Sequence, residues 1–403
     1  MAHSTPTLSD YFHVNRRYSR SINLERDADY PEVVSGYVFT ERSTDALKRI
    51  LTALVEDHTP SAWTLSGVYG TGKSAFAHFL AALCAPSDSL VHQQAMAIVG
   101  DTFGPRSWEY TTLRQYIPAS GLFRALVTAQ REPLRQTLIR ALYQGAIATW
   151  PTGRPSKLVR TLQTWAQAKG DDPTVSNTQI LSMLQEVAIA ARTDVVVIID
   201  ELGKVLEFAA QTQGAEDLYL LQQIAELAQQ PDGRIHLLSV LHQSFADYSH
   251  RLAATERLEW AKIQGRFEDI SFNDSPAQMT RLVGQAIQPV PHHPYTAWIA
   301  QHIPDWTTTL QGLVPGLDTP TQDVSILAST LPLHPLTAIV LPMLCARYAQ
   351  SDRSLFTFLT SAEPYALQPF LEHTSANSKT LTTLKLHHLY DYFVEAVGTS
   401  LGS

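Results

Sequence analysis

The pattern of apolar runs predicts an α/β fold: an αβα sandwich around a mostly parallel sheet, followed by a small all-helical domain. Three observations predict it. Asp194-Val-Val-Val-Ile-Ile-Asp200-Glu201 and Arg234-Ile-His-Leu-Leu-Ser-Val-Leu-His242-Gln243 are apolar runs with little polar alternation. Such runs mark strands buried on both faces, as in a parallel sheet covered by helices. Around them lie stretches whose apolar residues recur at helical spacing, the alternation that builds βαβ units. After about Pro289 the strand signals stop, and helical stretches punctuated by proline follow (Pro315, Pro320, Pro332, Pro335, Pro342, Pro364, Pro369).

Taken in order, residues 1 to about 40 read as an irregular N-terminal arm. Thr40 to Leu54 reads as a helix, capped by Thr40 or Ser43, with Leu47, Ile50, Leu51 and Leu54 on one buried face. The apolar run Ala62-Trp-Thr-Leu65 is a strand, and Ser74 to Leu83 is a helix with Phe76, Phe79, Leu80 and Leu83 on one face. Gly121 to Thr128 follows as a strand and Leu134 to Ile147 as a helix. From Trp150 to Pro173 the composition shifts to Pro, Gly, Lys and Asp around a short amphipathic piece, which reads as an insertion between core elements. Thr178 to Ala191 and Leu218 to Leu227 read as helices flanking the first buried strand. The expected organisation is an arm (1–40), a sheet domain (41–289, insertion about 150–175) and a helical lid (290–403).

Composition bounds the function. The chain has 403 residues, 44% hydrophobic and 17% charged, enough to bury the core of two or three domains. Its formal charge is 30 − 38 = −8, which argues against wholesale wrapping by nucleic acid but leaves room for a local basic patch. Arg16-Arg17-Tyr18-Ser19-Arg20, followed by Arg26, is the best such patch. Cys84 and Cys345 lie far apart in apolar helical contexts and read as buried thiols in a reducing compartment. No apolar run reaches the roughly 18 residues a membrane span needs, and the polar N-terminus is not a signal peptide, so a cytoplasmic protein is expected. The adjacent pairs His292-His293 and His387-His388 lack the Cys, His or carboxylate framework of a metal site.

The chemistry is carried by Gly67-Val68-Tyr69-Gly70-Thr71-Gly72-Lys73-Ser74, which reads G-x-x-x-x-G-K-S between a strand and a helix. This is the phosphate-binding P-loop in the setting the motif requires. Its glycines let successive backbone N–H groups turn toward a triphosphate, and the helix N-terminus, through Ala75, adds partial positive charge. Lys73 would reach the β- and γ-phosphates, and Ser74 would ligate Mg²⁺. Ligands of such sheets bind at the C-terminal ends of the strands, where Asp200 closes its run and would hold the Mg²⁺ shell. Glu201 is placed as general base toward water, and the Asp-Glu pair favours hydrolysis over phosphorylation of a small molecule. His242 and Gln243, at the end of the next strand, would face opposite ways; Gln243 is the favoured contact to the γ-phosphate or the lytic water.

The order of these motifs resembles the AAA+ ATPases among P-loop NTPases, in the branch of origin-recognition and Cdc6-like initiators. Gln264-Gly-Arg266-Phe-Glu-Asp-Ile-Ser-Phe272 is similar to that family's box VII, which implies that Arg266 is supplied to the ATP of a neighbouring subunit. The resemblance further implies a helical lid bearing a sensor-2 arginine: Arg353, in Ser351-Asp-Arg353-Ser-Leu-Phe, with Arg347 as rival. Thr128 and Gln130, at the end of the second strand, are candidates to restrain Glu201. A narrower resemblance, carried by the P-loop, box VII, His334-Pro-Leu-Thr-Ala and Ala349-Gln-Ser-Asp-Arg-Ser-Leu-Phe, is to the large ATPases of bacterial phage-defence islands of the BREX type. Those run well beyond 403 residues, which implies an N-terminal ATPase region or a compact relative.

Two functions follow as expectations. One is a Mg²⁺-dependent ATP hydrolase, assembled as a homo-oligomer or with defence-system partners, that acts on double-stranded DNA through Arg16, Arg17 and Arg20. The other is a nucleotide-gated scaffold or sensor that binds ATP with little hydrolysis.

Overall fold

The structure is a computed structural model. It describes residues 6–15, 22–56, 61–68, 71–153, 155–168, 175–212, 215–230, 234–243, 245–248, 254–273, 275–313, 324–348, 355–377 and 379–397. In chain order the strands are β1 (Phe12–Val14), β2 (Ala62–Ser66), β3 (Phe123–Thr128), β4 (Val195–Asp200), β5 (Ile235–Val240), β6 (Glu268–Ser271) and β7 (Ile287–Pro289). The chain divides into two compact units, Ile22–Gly67 with Thr71–Asn273, and Met1–Ser21 with Val68–Gly70 and Asp274–Ser403.

The first unit is an α/β sandwich. Its sheet has the order β3-β4-β5-β2-β6, with every neighbouring pair parallel. Parallel neighbours require crossovers, and the helices that make them cover both faces. Strand alternation therefore splits the core in two. Phe123, Ala125, Val127, Val195, Val197, Ile199 and Leu237 pack on one side. Trp63, Leu65, Leu126, Val196, Ile198, Leu238 and Ile270 pack on the other. Every residue of β4 and β5 is buried, which is why both runs lack polar alternation.

The helices follow local signals closely. Glu41–Val55 starts at Thr40, whose hydroxyl accepts the Ser43 N–H while Ser43 reaches back to Thr40, and it buries Leu47, Ile50 and Leu51. Leu134–Thr149, Asn177–Ala191 and Ala215–Ala228 agree with their periodicity to within a few residues. Among the helices that escaped the pattern are Leu90–Phe103 and Trp108–Tyr116. Their serine caps, Ser89 and Ser107, were the signal that could have found them. The Pro- and Gly-flanked stretch expected as an insertion holds the helix Ser156–Gln167, which contributes Leu158 and Leu162 to the sheet core.

Residues 22–40 are not an irregular arm. They form short helices, Leu24–Asp27 and Pro31–Val34, within the sheet unit. Asn23 caps the first, and its Arg26 is engaged by Asp27 at 2.9 and 3.0 Å. Arg16, Arg17 and Arg20 lie outside the described residues.

The described residues of the second unit are mostly helical, with one small sheet. β1 and β7 pair antiparallel, Phe12 opposite Pro289 and Val14 opposite Ile287. Around them stand Pro276–Ala286, Thr296–Leu313, Val324–Ser329, Pro335–Tyr348, Leu355–Thr360, Leu367–His373 and Leu386–Val397. Pro304 and Pro342 sit inside helices, so two of the prolines in this region do not mark ends. No helix among the described residues is long and apolar enough to cross a membrane.

Candidate functional site

The site begins where β2 ends. Gly67 has φ +151°, and a Cβ there would lie 2.8 Å from Asn273 Oδ1 and 3.3 Å from the Phe272 backbone, so only glycine fits. Gly72 has φ +84° and caps the helix Lys73–Leu83 in the left-handed conformation, which again suits glycine. Val68 is exposed, while Tyr69 and Gly70 lie outside the described residues. Thr71, Gly72, Lys73, Ser74 and Ala75 carry the chain into the helix.

Lys73 is buried, and its ammonium donates to Gly67 O at 2.6 Å and to Thr71 Oγ1 at 3.3 Å. The cation therefore lies back across the loop it belongs to. Burial pulls its pKa down to about 8, against the attraction of Asp200. Ser74 Oγ donates to Asp200 Oδ1 at 3.1 Å, joining two residues 126 positions apart. Asp200 closes β4 and is only 2% exposed. Burial pushes its carboxyl up to about 6, in spite of hydrogen bonds from Ser74 and the Glu201 N–H (2.9 Å) and the charge of Lys73. The fold thus brings Lys73, Ser74 and Asp200 together at one strand end.

Glu201 leaves the strand at φ +56°, a conformation that non-glycine residues seldom adopt. The Lys204 N–H bonds the Glu201 carbonyl at 3.0 Å, and the Leu202 N–H bonds Val240 O at 3.0 Å, so the turn is anchored to β5. Within this turn the Lys204 ammonium forms an ion pair with the Glu201 carboxylate. The expected restraints do not touch Glu201 by any bond seen here. Gln130 is exposed, and Thr128 sits opposite Asp200 in the sheet with its N–H donated to Glu25 (3.2 Å) and its carbonyl bonded by Arg140 (3.0 Å).

Strand order decides the next residue. β5 lies between β2 and β4, so the chain leaving β5 emerges between the phosphate loop and the acidic couplet. β5 ends at Val240, earlier than the apolar run suggests, and Gln243 is exposed. His242 instead is half-buried, its pKa held down to about 4 by burial and then by the charges of Lys73 and Lys204. Of the two residues it is thus His242, neutral at physiological pH, that is partly enclosed at this strand end. The preference for Gln243 assumed a continued strand, whereas the backbone bends after Leu241.

Arg266 follows the helix Ala254–Gln264, is exposed, and pairs with Glu226 at 3.1 Å, while Gln229 donates to its carbonyl at 2.7 Å. Arg353 lies outside the described residues; Arg347 lies on the helix Pro335–Tyr348. Cys84 and Cys345 are buried, and burial pushes both thiols up to about 12, which makes them inert.

The donor set at Ser74 and Asp200 is a hydroxyl and a carboxylate, hard oxygens a hydrogen bond apart. That is the kind of pair Mg²⁺ takes when it completes its shell with water and phosphate oxygens. Among the described residues no cluster of three or more His, Cys, Asp or Glu could hold a metal by itself.

No protein-family model matches the chain, and no curated protein matches it. A solved structure described as the Aeropyrum pernix ORC2 protein in ADPNP–ADP complexes is similar over 96% of this chain and 91% of that one, at 13% identity and a TM-score of 0.38. A likeness of that size supports no functional argument.

Proposed function

We propose that the chain is a Mg²⁺-dependent ATP hydrolase of the P-loop, AAA+ type. The observation that carries this reading is the Ser74–Asp200 hydrogen bond, made beside the buried Lys73 ammonium at the mouth of the loop. A carboxylate buried to 2% and held at a strand end beside a lysine and a serine is poorly explained as a structural cap. Its charge becomes favourable when a cation arrives.

Mg²⁺, held by Ser74 and Asp200, would neutralise charge on the phosphate oxygens when bound. The protein's own residues supply the rest. Lys73 leaves Gly67 O for the β- and γ-phosphate oxygens. Glu201 orients a water and takes its proton as the water oxygen bonds to the γ-phosphorus. The bond from γ-phosphorus to the bridging oxygen breaks, and ADP and phosphate leave. His242, neutral at physiological pH, can donate or accept a hydrogen bond to that water or to the γ-phosphate without competing for the cation. Arg266, exposed and planar, is available to the nucleotide of a second copy, with Arg353 or Arg347 completing the charge clamp. Assembly as a homo-oligomer or with defence-system proteins, and contact with double-stranded DNA through Arg16, Arg17 and Arg20, rest on the sequence resemblance alone.

One observation favours a second reading, a nucleotide-gated scaffold with little turnover: the Glu201 carboxylate is already paired with Lys204. Calorimetry with ATP and Mg²⁺, together with phosphate release with and without double-stranded DNA, separates the two. The hydrolase reading expects ATP uptake by the unsubstituted chain and by Glu201→Gln, with phosphate release at least about a hundredfold slower in the variant. Equal rates would refute it; binding with no release by the unsubstituted chain under either condition would select the scaffold.

A further inference from the structure

We propose that Lys204 is a second cation of the phosphate site, paired with Glu201 in the nucleotide-free chain and drawn to the terminal phosphate of a bound nucleoside triphosphate. This rests on the nucleotide-binding reading above and adds to it a residue that tells triphosphate from diphosphate.

The local backbone builds the pair. Glu201 in the left-handed conformation reverses the chain, the Lys204 N–H closes the turn on the Glu201 carbonyl, and Leu202 pins it to β5. Gly203 lies so close to the Tyr248 side chain that a Cβ would collide with it, so the turn has little freedom to relax. Lys204 thus stands in the first turn of the helix Gly203–Thr212 with its side chain returned to the carboxylate. This is not an incidental surface pair. Glu201, which holds Lys204, directly follows the Asp200 that Ser74 bonds, and the charges of Lys73 and Lys204 both act on His242.

The two cations differ in freedom. Lys73 is buried and hydrogen-bonded into the loop. The Lys204 side chain is 45% exposed and the Glu201 side chain 27% exposed, so their attraction is screened and the four-carbon stem can swing. A single carboxylate holds it with one negative charge. A terminal phosphate offers between one and two charges and three acceptor oxygens, and it wins that competition. A diphosphate places its last phosphate deeper, in the loop, and leaves Lys204 with Glu201. Arrival of the γ-phosphate therefore removes the ammonium from the very carboxylate that must accept a proton. Lys204 in this account is a positioning residue for Glu201 and a specificity residue for the γ-phosphate.

The test is equilibrium binding, which needs no turnover. Titrate the full chain with ADP and with a triphosphate whose β–γ bridge is nitrogen and resists hydrolysis, both with Mg²⁺, for the unsubstituted protein, Lys204→Met and Lys204→Arg. Loss of one charge-assisted contact should weaken the triphosphate analogue about tenfold in Lys204→Met, leave ADP within about twofold, and be largely restored in Lys204→Arg. Equal weakening of both nucleotides would assign Lys204 to the structure of the loop. Unchanged affinities for both would show that it never reaches the γ-phosphate. Either result overturns the proposal. Failure of the nucleotide reading looks different, since the unsubstituted chain would then bind neither ligand, and it overturns both.

Discussion

Asp200 is predicted to be a residue whose charge destabilises the empty protein, and Asp200→Asn measures that directly. In the folded chain its carboxyl titrates at about 6 against an ordinary 3.8, burial being the largest cause. A gap of roughly 2 in pKa, at about 1.4 kcal/mol for each unit, is about 3 kcal/mol. The sign follows from which state holds the proton. Between about pH 4 and 6 the folded chain keeps a proton that the unfolded chain has lost, so stability is fullest below 3.8 and falls as pH rises through 6. Asparagine keeps the oxygen that accepts from Ser74 and from the Glu201 N–H but carries no charge. Without nucleotide, and in chelator, Asp200→Asn should therefore be more stable than the unsubstituted chain by about 2–3 kcal/mol at pH 8, an advantage that shrinks toward pH 4. Urea denaturation of both proteins at pH 4.5 and 8 gives the difference. The same variant should lose Mg²⁺-dependent ATP uptake by calorimetry. An advantage that does not grow between the two pH values would refute the buried-charge argument.

Two further predictions come from the same site. Lys73, lowered to about 8, is partly deprotonated at pH 8 in the empty chain, and phosphate favours its ammonium form, so ATP binding at that pH should take up a fraction of a proton. Calorimetry in buffers of different ionisation enthalpy reads that uptake; it should fade toward pH 6.5, and its absence at pH 8 would place Lys73 outside the phosphate contact. Arg266→Ala should leave ATP affinity within about twofold and stability within about 1 kcal/mol, since the exposed pair with Glu226 contributes little, while turnover at assembling concentrations falls at least about a hundredfold. Normal turnover by that variant would remove the trans-arginine from the mechanism.

Much of this molecule is legible along the chain because the signals are local. Glycine stands at 67 and 72 because one position meets backbone and the other is left-handed. Thr40 announces its helix through hydrogen bonds three residues long. The run ending at Asp200 is apolar at every position because a central parallel strand is covered on both sides. Other features gave too little signal. The helices 90–103 and 108–116 have apolar faces diluted by polar and glycine residues, and β1 and β7 are three-residue strands.

The amino-acid sequence by itself determined the strand–loop–helix that would cradle phosphate, the identity of the acidic couplet, and the change from alternating to helical architecture. Each depends on backbone preferences and periodicities that act within a few residues. Only the tertiary structure decided that β5 runs between β2 and β4, that His242 is half-buried while Gln243 is exposed, and that Lys204 closes on Glu201. Those outcomes come from pairing between segments far apart in the chain and from a single left-handed residue, neither of which periodicity records.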